Sequence, residues 1–132
     1  MAQILKNICI IDDDNFYINL VSKIIKMRKF SDSITIFKNG KEAITYFKDN
    51  LSNAEDFEVP EVILLDLNMP IMDGWEFLGE FSEIKNEIGK TNLYVVSSSI
   101  DIRDINRAKS IDAVRDYITK PINIKQFEKI LA

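Results

Sequence analysis

Histidine is missing from the 132-residue chain, cysteine and tryptophan occur once each, and there are only 3 prolines and 4 glycines. Without histidine there is no histidine-based zinc site, no Ser-His-Asp triad and no phosphohistidine step within the chain. Any phosphoryl group the protein carries must therefore come from elsewhere. Cys9 has no partner for an internal disulfide, and inside the run Ile8-Cys9-Ile10-Ile11 it reads as a small buried hydrophobe. The glycines form neither a P-loop nor a dinucleotide-binding loop, which leaves nucleotide binding poorly supported. No apolar run approaches the roughly 20 residues that cross a bilayer, so membrane insertion is not expected. Met1-Ala2-Gln3-Ile4-Leu5-Lys6 does not have the form of a secretory signal, and the expected compartment is the cytoplasm. A net charge of -4 with scattered lysines and arginines argues against direct nucleic-acid binding, which needs a concentrated basic surface.

The chain does contain a steady alternation of short apolar runs and longer helical patterns. At 46% hydrophobic and 29% charged residues, it is expected to form one globular domain over residues 1–132. Strands are predicted near 7–11, 33–37, 62–66, 92–97 and 114–118. Between them, Leu20, Val21, Ile24 and Ile25 give the first helix its apolar stripe. Ala43, Ile44, Phe47 and Leu51 do so for the second helix, and Phe77, Leu78, Phe81, Ile84 and Ile88 for the third. Weaker patterns, Ile102 with Ile105 and Ile124 with Phe127, Ile130 and Leu131, supply the last two. Asn39 with Glu42, Asp73 with Glu76 and Asn123 with Gln126 have the spacing of helix-capping pairs, so Asp73 is read as a cap. The expected fold is a flavodoxin-like, doubly wound (βα)5 α/β domain, its five-stranded parallel sheet in the order 2-1-3-4-5. The polar connection from Leu51 to Pro60 is expected on the edge opposite the functional one.

Charged residues stand where these apolar runs stop. Asp12 and Asp13 follow the first, Asp66 follows Val62-Ile63-Leu64-Leu65, and Lys120 follows Tyr117-Ile118-Thr119. Parallel neighbouring strands would bring these ends to one sheet edge, where open α/β folds place their ligands. Three carboxylates and an ammonium converging there suit phosphoryl transfer, which depends on positioning and on neutralising charge. An aspartate can act as a nucleophile and form an acyl phosphate, but taken alone Asp66 reads as a strand-ending turn aspartate. Asp14 extends the acidic run and reads as the cap of the first helix.

The arrangement resembles the CheY-like receiver domain of two-component response regulators, of the stand-alone, single-domain type. The resemblance rests on Asp12-Asp13, on Asp66-Leu67-Asn68-Met69-Pro70 followed by Met72-Asp73-Gly74, on Ser97-Ser98 after Leu93-Tyr94-Val95-Val96, and on Lys120-Pro121. Each segment alone is weak, and the ordered set is highly specific. It implies a phosphorelay protein that accepts a phosphoryl group on Asp66 from a sensor histidine kinase or a histidine phosphotransfer protein. Its chemistry would be limited to self-phosphorylation and self-dephosphorylation, so it is not expected to be an enzyme in the ordinary sense. The implied cofactor is Mg2+, held by Asp13, Asp66 and the backbone carbonyl of Asn68, with Asp12 acting through water. The resemblance also implies a phosphate-binding hydroxyl at Ser97, a charge-neutralising Lys120, an aromatic switch at Tyr117 and a cis peptide before Pro121. Output would pass to an unknown partner through the surface of the fourth helix, fifth strand and fifth helix.

Two segments depart from the pattern. Ile111-Asp112-Ala113-Val114-Arg115-Asp116 lacks a glycine-alanine step before the fifth strand, and Ser99 stands where some relatives carry a charged residue. Two other readings compete. A phosphate-independent interaction module would not need Asp13, Asp66, Ser97 and Lys120 together. An aspartate-based phosphohydrolase would need a second aspartate, which Asp66-Leu67-Asn68 lacks, and a cap domain.

Overall fold

The computed structural model describes residues 7–51 and 59–131. Ten elements alternate along them: β1 (Ile8–Ile11), α1 (Asn15–Met27), β2 (Ile34–Phe37), α2 (Gly40–Leu51), β3 (Val62–Leu65), α3 (Gly74–Ile88), β4 (Asn92–Ser97), α4 (Ile102–Lys109), β5 (Val114–Thr119) and α5 (Ile124–Leu131). The strands form one parallel sheet in the order β2-β1-β3-β4-β5. This is the flavodoxin-like doubly wound fold expected from the sequence, with strand limits within one residue of those predicted. The polar connection was expected opposite the functional edge, but residues 52–58 of it lie outside the described part of the chain.

The continuous apolar runs make sense once both faces of the sheet are covered. Side chains alternate across the sheet with a period of two, and consecutive residues enter different layers. Cys9, Ile11, Ile63, Leu65, Leu93 and Val95 join the layer under α2, α3 and α4. Ile8, Ile10, Val62, Leu64, Tyr94 and Val96 join the layer under α1 and α5. In the first layer Phe47 meets Phe81 edge-on at 5.8 Å, and Phe77 and Phe81 stack at 5.4 Å. These aromatic contacts pin α2 to α3.

The helix starts follow their capping signals. Asp14 accepts from the amides of Phe16 and Tyr17, and Asp73 and Glu76 complete a reciprocal capping box. Asn39 accepts from the amide of Glu42 at 2.8 Å, and Asn123 and Gln126 pair in both directions. The predicted stripes need three corrections. Leu20 is 46% exposed, Ile102 64% and Ile124 47%. α1 buries Tyr17 and Ile18 together with the expected Val21 and Ile25, α4 buries Ala108, and α5 buries the expected Phe127 and Leu131. Ile102 and Ile124 are the first residues of their helices and Leu20 lies at the edge of the α1 stripe, positions where hydropathy alone places the boundary of the buried face poorly. No helix among the described residues is long and apolar enough to cross a membrane.

Candidate functional site

Backbone hydrogen bonds just beyond the regular strands hold the candidate residues at the carboxyl edge of the sheet. The amide of Asp12 donates to the carbonyl of Phe37 on β2 at 3.0 Å, and that of Asp66 to Ile11 on β1 at 2.9 Å. The amide of Lys120 donates to Ser97 at the end of β4 at 2.8 Å. Each strand thus continues its ladder by one step into the site. The lateral positions of the three charged residues are fixed by the sheet and not by loop conformation. The site lies over β1 and β3, where the order of strands reverses direction, the place at which such sheets open a crevice.

Carboxylate oxygens of Asp12, Asp13 and Asp66 lie within 4.8 Å of one another. Asp12 and Asp66 are buried and Asp13 faces solvent. The Lys120 ammonium lies 2.8 Å from Asp12 Oδ2 and 3.8 Å from Asp66 Oδ1. The other Asp12 oxygen, Oδ1, accepts from the amide of Asp14 at 2.9 Å. Both Asp12 oxygens are therefore engaged by the protein itself, while Asp13 presents its carboxylate outward.

Burial shapes the acidity of the site. It pushes the Asp66 carboxyl up to about 6, reinforced by the negative charge of Asp12 and opposed by Lys120 and by the amides of Asn68 and Leu67. The Asp12 carboxyl is also raised by burial, with Lys120 pulling the other way. Like charges gathered in a partly dry pocket repel, and a cation relieves them. Hard oxygen donors at this spacing fit a divalent ion such as magnesium.

The remaining expected residues lie on or just beyond β3, β4 and β5. Ser97 is fully buried at the end of β4, and its Oγ accepts from the amide of Ser99 at 3.1 Å. Tyr117 on β5 is buried, its ring turned inward and its hydroxyl donating to the Ser99 carbonyl at 2.7 Å. The peptide between Lys120 and Pro121 is cis. Asn68 and Ser98 are exposed. Asp14 and Asp73 act as helix caps, outside the carboxylate cluster. Gly74 has no room for a side chain: a Cβ there would lie 2.4 Å from the Asp66 carbonyl oxygen and 2.7 Å from Leu67 Cα. That close approach lets α3 begin directly behind the Asp66 backbone.

Two features escaped the sequence reading. Ser99 Oγ donates to Asp104 on α4 at 2.7 Å, tying the β4–α4 connection to that helix. Tyr17, buried on α1, carries the Lys120 ammonium 4.2 Å from its ring centroid. Its position four residues before Val21, in line with the α1 stripe, was the available signal.

A doubly wound parallel sheet with an acidic pocket and one lysine at its switch point defines a class of α/β signalling modules built around a carboxylate trio. The chain belongs to the response regulator receiver domain family, whose pattern matches residues 8–132, and it is a receiver domain of two-component signalling. It is 26% identical to the response regulator Rcp1 of Synechocystis, over 96% of this chain and 84% of that protein. The Mn(2+)-bound form of Rcp1 superposes with a TM-score of 0.72 at 28% identity, covering 96% of this chain and 88% of that one. A two-component response regulator from Cytophaga hutchinsonii gives a TM-score of 0.81 at 29% identity, covering 96% and 94% of the two chains. The phosphorylated cyanobacterial phytochrome response regulator RcpA gives 0.75 at 30% identity, over 96% and 89%. Some matches are much longer proteins: the chain spans 7% of hybrid signal transduction histidine kinase I of Dictyostelium discoideum.

Proposed function

We propose that residues 1–132 act as one phosphoacceptor receiver domain, taking a phosphoryl group on Asp66 from a histidine kinase or a histidine phosphotransfer protein and signalling through the α4-β5-α5 surface to another protein. The observation that carries this reading is the meeting of Asp12, Asp13 and Asp66 within 4.8 Å, with the Lys120 ammonium 2.8 Å from Asp12 and 3.8 Å from Asp66. A pocket so rich in like charge is unfavourable as a purely structural feature, which speaks against a phosphate-independent module.

Asp66 is the nucleophile. With its carboxyl near 6, it is largely ionised at neutral pH. One carboxylate oxygen attacks the donor phosphorus, and the new O–P bond forms as the donor's bond breaks. That bond is P–N in a phosphohistidine and P–O in acetyl phosphate, and the leaving imidazole or acetate keeps the electron pair. The amides of Leu67 and Asn68 steady the attacking carboxylate. Lys120, already between Asp12 and Asp66, neutralises charge on the transferred oxygens. The Ser97 hydroxyl, which accepts from the Ser99 amide, still has its own proton to donate to one of those oxygens.

Asp13, Asp66 and the Asn68 carbonyl would hold Mg2+, with Asp12 acting through water because both its oxygens already have protein partners. When bound, the ion supplies further neutralisation of the phosphoryl charge. Phosphate then favours the arrangement in which Ser97 and Lys120 bind it. Ser97 adjoins the Ser99 carbonyl that holds Tyr117 and the Ser99 hydroxyl that holds Asp104, so the change reaches α4 and β5.

The test is incubation with magnesium and acetyl phosphate followed by intact mass measurement, beside Asp66→Ala. A gain of one phosphoryl group in the wild type alone supports the proposal. Absence of any gain, with acetyl phosphate and with candidate kinases alike, overturns it.

A further inference from the structure

We infer that Tyr17 is a positioning residue for Lys120, its ring holding the ammonium in line with the transferring phosphoryl group. The inference rests on the phosphoacceptor reading above. Lys120 sits on the short turn after β5 and carries a flexible four-carbon stem that ordinarily extends into water. Here its side chain is only 17% exposed, and three groups surround the ammonium: Asp12 at 2.8 Å, Asp66 at 3.8 Å and the face of Tyr17 at 4.2 Å from the ring centroid.

The three contacts are not equivalent. Asp12 and Asp66 attract the ammonium strongly, and Asp66 is the group to be modified, so its charge changes during the reaction. The Tyr17 face attracts a cation through its quadrupole, does not titrate with the carboxylates and makes no directional bond that must break when Lys120 extends. It also covers the ammonium against water, which strengthens the field that the lysine exerts in the pocket. The ring is itself fixed. It is buried in the layer under α1 and α5 with Ile18, Val21 and Phe127, on a helix whose first turn is capped by Asp14.

The hydroxyl separates this role from others a tyrosine could have. Tyr17 Oη is buried and has no hydrogen-bond partner among the described residues. The useful part of the side chain is therefore the ring, and phenylalanine should replace it without loss. Leucine should not, although it fills most of the same space.

The experiment compares the wild type with Tyr17→Phe and Tyr17→Leu by two readouts. In NMR spectra, the Lys120 ε-methylene protons, assigned by their loss in Lys120→Met, are expected to be shifted upfield by the ring in the wild type and in Tyr17→Phe. They should return to the ordinary lysine position in Tyr17→Leu. Phosphorylation by saturating acetyl phosphate and magnesium is expected to be about fivefold slower in Tyr17→Leu, about 1 kcal/mol at 1.36 kcal/mol per tenfold, and within twofold of wild type in Tyr17→Phe. The magnesium-dependent melting shift should be the same in all three. A merely structural role would lower the melting temperature of Tyr17→Leu and leave the rate unchanged. That outcome, or unshifted Lys120 protons in the wild type, overturns the inference. If Tyr17→Leu does not fold, Tyr17→Met carries the same comparison. If the wild type takes no phosphoryl group from any donor, the phosphoacceptor reading fails, and the ring-current comparison alone decides whether Tyr17 holds Lys120.

Discussion

Replacing Asp66 by asparagine should stabilise the fold, and the gain should depend on pH in a defined direction. In the folded chain the Asp66 carboxyl is pushed from 3.8 up to about 6, chiefly by burial and next by the charge of Asp12. The folded state therefore binds this proton more tightly than the unfolded state does. Its stabilising contribution is complete below about pH 4 and is lost as pH rises towards 6, because stability falls with pH wherever the native state holds more protons. At 1.36 kcal/mol per tenfold in proton affinity, ionised Asp66 costs up to about 3 kcal/mol at pH 7.5, and screening at the pocket mouth reduces this to about 1–3 kcal/mol. Asparagine keeps the shape without the charge, and Lys120 retains Asp12 as its closer partner. For a chain of this length 1 kcal/mol corresponds to roughly 4 °C, so Asp66→Asn should melt about 4–12 °C above the wild type at pH 7.5 in chelator. The assay is thermal melting by circular dichroism from pH 4 to 8, with the difference between the two proteins isolating this one group. The gap should be small at pH 4, open between 4 and 6 and stay level above. Millimolar magnesium should narrow it by stabilising the wild type. Equal melting temperatures at pH 7.5 in chelator, or a gap of the same size at both ends of the range, would refute the reasoning.

Two further predictions concern the backbone around the site. Ile71 is 79% exposed and has φ 68, a left-handed conformation that β-branched residues rarely adopt. Ile71→Gly should therefore raise stability by about 1 kcal/mol, measured by urea denaturation, and a loss of stability would show that no strain is stored there. Gly74→Ala places a methyl group 2.4 Å from the Asp66 carbonyl oxygen and 2.7 Å from Leu67 Cα, both backbone atoms. It should cost about 2–4 kcal/mol and move the Asp66 amide resonance, and a variant as stable as the wild type would show that α3 can withdraw from the Asp66 strand end.

Most of this architecture was legible in the chain itself, because the signals are local and repeated. Unbroken apolar runs such as Val62-Ile63-Leu64-Leu65 mark strands buried on both faces, and the helix caps at Asp14, Asn39, Asp73 and Asn123 satisfy amides two or three residues away. Parallel order then brings Asp12, Asp13, Asp66 and Lys120 to one edge, since each closes or directly follows a strand. The misplaced residues are Leu20, at the edge of the α1 stripe, and Ile102 and Ile124, the opening residues of α4 and α5. Neighbouring elements decide such cases, and hydropathy does not record them.

Contacts between residues far apart in sequence were decided by the tertiary structure alone. Lys120 lies closer to Asp12 than to Asp66, 108 residues from its nearest partner, and Tyr17 completes its surroundings from the opposite end of the chain. Tyr117 faces inward because the Ser99 carbonyl, on a loop 18 residues earlier, is within reach of its hydroxyl. Periodicity and strand-end chemistry depend on near neighbours and can be read along the chain. Which ammonium meets which carboxylate, and which ring lies beneath it, depends on distances of an ångström or two between elements, which only the packed sheet and its helices set.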